Sequence, residues 1–100
     1  MVKTFLFVQT RAPLDAGPEA FDLVMTAAAF DQEVRLVLAD DGVQWLRTGL
    51  PELVMEAVEQ IAVEQESLAE RGMAAPEAIP LMARADLAAL LAGSDVAVTG

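Results

Sequence analysis

The chain contains no cysteine and no histidine. The first absence removes disulfides, thiolate nucleophiles, persulfide carriage and thiolate metal sites, and the second removes imidazole both as metal ligand and as general base. Most small-enzyme mechanisms leave with those two residue types. Cations are scarce as well: 6 Lys and Arg stand against 16 Asp and Glu, a formal charge of -10, so a phosphate backbone or an anionic lipid surface would repel the chain. No apolar run approaches the roughly 18 to 20 residues that cross a bilayer as a helix. Met1 to Val8 carries one lysine and a short apolar stretch, without the small-residue cleavage pattern of a signal peptide. The expectation is a cytoplasmic protein with no direct nucleic-acid partner and no membrane partner.

What is present is apolar: 55% of 100 residues, enough for one core and one domain spanning residues 1–100. Thr4 to Val8 is a β-rich run without alternation, as a strand covered on both faces reads. Thr10 to Gly17 reads as a loop, and Pro18 as the first turn of a helix that places Phe21, Val24, Met25, Ala28 and Ala29 on one face. Val34 to Ala39 is a second buried strand, completing a βαβ unit and therefore parallel to the first. Pro51 opens a short helix, and Gln60 to Glu64 reads as a third strand, although a helix continuing from Pro51 would also accommodate it. Ser67 and Glu70 have capping-box spacing, and Gly72 ends that helix early. A short edge strand is expected near Ile79 to Met82, a helix over Asp86 to Leu91 with Gly93 as its left-handed terminator, and a last strand over Asp95 to Thr99. The pattern predicts an α/β fold: an open, mostly parallel five-stranded sheet with helices on both faces.

Asp40-Asp41-Gly42 falls at the carboxyl end of the second strand, where ligands of open α/β sheets bind. Two acids there could ligate Mg²⁺ or act as acid and base, which makes a Mg²⁺-dependent enzyme one possible reading. The competing reading is a turn in which aspartate accepts backbone N–H bonds and Gly42 supplies a positive φ. The loop Thr10 to Gly17 could cradle a ligand, yet one Gly and Arg11 do not make a phosphate fingerprint, and Arg11 could equally meet an acid of a neighbouring subunit. Trp45, with Val43, Leu46 and Leu50, is either core or an interface anchor. The acids Glu52, Glu56, Glu59, Glu64, Glu66 and Glu70 form a solvated face or a docking surface for a basic partner. No cofactor motif is present.

The run Glu19-Ala20-Phe21-Asp22 through Ala27-Ala28-Ala29-Phe30-Asp31-Gln32, the strand Val34 to Leu38, and Asp40-Asp41-Gly42-Val43 followed by Leu46 together resemble the DsrE/DsrF family of sulfur-relay proteins. The likeness is to its DsrF/TusC type. Glu66-Ser67-Leu68-Ala69-Glu70-Arg71-Gly72 resembles that type's later helical segment, and Asp86 to Val98 its last helix and strand. The stretch Thr48 to Gln60 is shorter than the family's segment there. The resemblance implies a flavodoxin-like fold and assembly with DsrE/TusD-like and DsrH/TusB-like paralogues, and it brings in a TusA-like sulfur carrier as a further partner. Sulfur moves in such complexes as a cysteine persulfide, toward tRNA thiolation or within sulfur oxidation. The family's sulfur-accepting cysteine sits on the DsrE/TusD-type subunit, and no position here matches it. A non-catalytic subunit of such a complex is therefore expected, with a stand-alone homo-oligomeric adaptor or small-ligand binder as the alternative.

Overall fold

A computed structural model describes residues 2–100. Five strands, β1 (Thr4–Gln9), β2 (Glu33–Leu38), β3 (Gln60–Glu64), β4 (Leu81–Met82) and β5 (Val96–Thr99), form one sheet in the order β4-β3-β2-β1-β5. Every pairing is parallel, with Phe7 opposite Leu36 on one side and Val98 on the other.

Connections from β1 to β2, β3 and β4 all step in one direction, so right-handed crossovers place their helices on one face. These are α1 (Pro13–Ala16), α2 (Asp22–Ala29), α3 (Trp45–Thr48), α4 (Glu52–Ala57) and α5 (Gln65–Glu70). The return from β4 to β5 runs backward, which puts α6 (Arg84–Gly93) alone on the other face. The core divides accordingly. Phe7, Val34, Leu36, Leu38 and Val63 pack under Val24, Trp45, Val54 and Leu68, while Leu6, Val8, Val37 and Ala62 pack under Leu87.

The α/β class, the strands and the edge position of β4 agree with the sequence expectation. Helix boundaries depart from it. Pro18 lies in a turn and α2 begins at Asp22; its buried residues are Val24 and Ala27, and Ala29 faces solvent. The proline that opens a helix is Pro13, in a single helical turn within the expected loop. Gly93 belongs to α6, and Ser94 ends that helix in extended conformation with its hydroxyl donating to Leu90 O at 2.7 Å. Gly72, at φ 62°, does terminate α5 as expected.

Candidate functional site

The carboxyl ends of β1, β2 and β3 meet a 3-10 turn over Asp40–Gln44 that leaves β2 directly. Gly42 does not supply the positive φ expected from the sequence. The positive φ belongs to Asp40, at 50°, and not to the glycine. Gly42 is required for space: a Cβ there would lie 1.8 Å from Gln9 O, because the turn crosses the end of β1 in backbone contact. Gln9 O also accepts the Ala39 N–H at 3.1 Å, so β1 and the turn are joined at this point.

The two aspartates do different things. Asp41 Oδ1 accepts Arg71 Nε at 3.1 Å and Nη2 at 3.0 Å, while the exposed Asp40 offers only its backbone N–H, donated to Ser67 Oγ at 2.8 Å. Among the described residues no group of three or more acids gathers in a way that could hold a metal ion.

Ser67 is not the cap of α5. The helix starts at Gln65, directly from the end of β3, and the hydroxyl is fully buried with its donor spent on Glu64 Oε1 at 2.5 Å. Glu64 is the centre of this end of the sheet. It was grouped by sequence with the solvated acids, yet it is only 3% exposed, as the last residue of β3 must be when α5 and α6 close over it. Arg84, opening α6, donates to Glu64 Oε1 from Nε at 3.0 Å and Nη2 at 2.8 Å, and reaches Glu70 at 3.1 Å. Glu66 accepts the Arg84 backbone N–H at 2.9 Å. Burial pushes the Glu64 carboxyl up, but hydrogen bonds from Arg84 and Ser67, with the charges of Arg84 and Arg71, outweigh it and hold the group below its ordinary value. One ionised carboxylate thus ties β3, α5 and α6 together, and through Ser67 the turn after β2.

Trp45 belongs to the core alternative. The residue is 9% exposed, its ring edge-on to Phe21 at a centroid distance of 4.8 Å, and its Nε1–H donates to Arg11 O at 3.1 Å. That bond fixes the loop after β1 against α3, leaving a cleft of about 370 Å³ between Leu14, Asp15, Asp41 and Arg47. Leu46 and Leu50 are half-buried against the same core. The candidate residues Asp40, Asp41, Gly42, Trp45, Leu46 and Leu50 therefore do not form one surface. Gln9 and Arg84 were missed, Arg71 was noted only within the resemblance, and Glu64 was read as part of a solvated or docking face. For Glu64 a signal existed, a carboxylate closing an otherwise apolar buried strand, but its partners lie too far along the chain to be read from spacing.

Chemically the site holds ionised, paired side chains and no thiol. Among the described residues no helix is long and apolar enough to cross a membrane. A search of curated proteins finds no match. A family model does match, over residues 1–99, and its description is the DsrE/DsrF-like family.

Proposed function

The chain belongs to the DsrE/DsrF-like family, and from that membership we propose that it is a DsrF/TusC-type, non-catalytic subunit of a multi-subunit sulfur-relay assembly. The observation that carries the reading is the complete lack of cysteine in a chain whose family match covers 99 of its residues, 1–99. A persulfide needs a thiolate, so sulfur handled by such an assembly resides on another subunit. At the carboxyl end of the sheet, the Glu64, Ser67 and Arg84 network occupies the ground where a nucleophile of this architecture would be placed. Its hydrogen-bonding capacity is spent on cohesion, which suits a scaffold.

The test is functional dependence. A cysteine-bearing member of the family is loaded with sulfane sulfur, and its transfer to an acceptor thiol is followed with and without this chain. Transfer that requires the chain, although the chain itself never carries label, supports the reading. Transfer at an equal rate in its absence contradicts it.

A further inference from the structure

The acids that the sequence groups together, as a solvated face or a docking surface, separate in the fold. Glu64 is buried, and Glu66 and Glu70 are engaged by Arg84 at the carboxyl end of the sheet. Glu52, Glu56 and Glu59 are exposed, and among the described residues no cation pairs with them. They lie on α4 and its exit into β3.

That strand is only partly covered at its outer edge. β4 pairs with Val63 and Glu64 alone, so Gln60, Ile61 and Ala62 have no strand beyond them. Val63 N donates to Pro80 O, and by alternation the N–H and C=O of Ile61 point out of the same edge, unpaired among the described residues. The gap under β4 is a groove of about 650 Å³ with an apolar lining of Met55, Val58, Ile61, Ile79, Leu81 and Met82. Met55 and Leu81 are 49% and 46% exposed. Glu59 and Asp86 stand in its wall, Glu52 lies three residues before Met55 on the same side of α4, and the exposed Glu77 precedes Ala78 of the lining. The cations are elsewhere. Lys3, Arg11 and Arg47 line other clefts, Arg35 is paired with Glu33, and Arg71 and Arg84 are held by Asp41, Glu64 and Glu70.

We propose that this groove takes an extended, basic segment of a partner protein, its apolar side chains seated between the two methionines and its lysine or arginine side chains meeting the acidic rim. Charge excludes the alternatives that carry the same sign: nucleic acid, an anionic lipid surface, and a second copy presenting the same acids. Extent excludes a small cation, which would meet Glu59 and Asp86 but leave unused the acids that continue along α4 and into the loop before β4. Backbone chemistry favours a polypeptide, since an extended segment supplies both the acceptor and the donor that Ile61 lacks. The unbranched thioethers of Met55 and Met82 adapt to whichever apolar side chains arrive. The inference rests on this geometry and not on the sulfur-relay reading.

Fluorescence anisotropy of a short labelled peptide of alternating leucine and lysine, titrated with the chain, tests it beside two other peptides, one with serine for leucine and one with glutamate for lysine. The leucine-lysine peptide should bind at least about tenfold more tightly than either. Any basic peptide is drawn to a chain of charge -10, so location is read from variants of equal net charge. Glu59→Lys with Asp86→Lys should weaken binding about tenfold, and Asp15→Lys with Glu19→Lys, at exposed sites in other clefts, less than about twofold. Met55→Gln, which keeps the length of the side chain and makes it polar, should weaken it about fivefold. No binding of the leucine-lysine peptide, equal binding of the serine peptide, equal loss from the two charge-reversed pairs, an unaffected Met55→Gln variant, or displacement of the peptide by equimolar decylamine would each overturn the proposal. Should the Glu59→Lys, Asp86→Lys variant unfold, Met55→Gln and the peptide comparison decide.

Discussion

Substituting Gly42 with alanine adds one methyl group at the most confined backbone position of the carboxyl-end site. The new carbon would sit 1.8 Å from Gln9 O and 2.6 Å from Gln9 C. Carbon and carbonyl oxygen approach no closer than about 3.3 Å, so the turn must withdraw from β1 by about 1.5 Å. Three things move with it: the Ala39 to Gln9 hydrogen bond, the Asp40 to Ser67 hydrogen bond, and the buried Val43 and Trp45 that follow. Overpacking against backbone, which has no rotamer to change, costs about 2–3 kcal/mol here. For a 100-residue domain that lowers the Tm by about 10–20 °C. Asp40→Gly makes the contrasting variant. It relieves a left-handed conformation at φ 50° and keeps the N–H that Ser67 receives, so stability should stay within about 1 kcal/mol of wild type. Urea and thermal unfolding followed by the fluorescence of Trp45, the one tryptophan, reads both variants. A Gly42→Ala change below about 0.5 kcal/mol would refute the close crossing of the turn over β1.

Glu64 gives a pH dependence of defined sign. Its folded pKa is depressed, so its contribution is fully present above the unfolded value of about 4.3 and is lost as pH falls through the lower folded value. Glu64→Gln should cost about 1–3 kcal/mol at pH 7 and flatten the acid limb of the stability profile; an unchanged limb would sink the network's role. Trp45→Ala should cost about 3–5 kcal/mol of folding stability, and Trp45→Phe about 1 kcal/mol through loss of the bond to Arg11 O; urea melts that show neither loss would contradict the core placement. Intact mass after incubation with a persulfide donor should be unchanged, once methionine oxidation has been reversed and excluded; a stable one-sulfur adduct would reveal an overlooked nucleophile.

The strands were legible because both faces of a parallel sheet are covered, so Thr-Phe-Leu-Phe-Val and Val-Arg-Leu-Val-Leu read as apolar runs without needing their partners. Helix starts were less legible. Pro18 and Ser67 have the right chemistry for first-turn positions, but the chain spends Pro18 on a turn and the Ser67 hydroxyl on Glu64. The Asp-Asp-Gly motif was found at the right end of the right strand with its roles exchanged: aspartate takes the positive φ, and glycine makes room for a crossing backbone. That exchange depends on where β1 ends, which no local pattern contains. The Glu64 to Arg84 pair spans 20 residues and two elements, so only the assembled sheet brings the two together. Trp45 was ambiguous in sequence because a lone tryptophan serves core and interface alike, and the edge-on Phe21 that decides it comes from a different crossover.

The proposed role is participation in sulfur relay without carriage of sulfur. Native mass spectrometry of the chain co-expressed with cysteine-bearing family members from its own source, after loading with a persulfide donor and ejection of individual subunits, measures both halves at once. The expected result is a stoichiometric assembly that contains this chain, with the added sulfur found on a cysteine-bearing subunit alone. Relatives that assemble and load without this chain, or a copy of this chain ejected with sulfur attached, would contradict it.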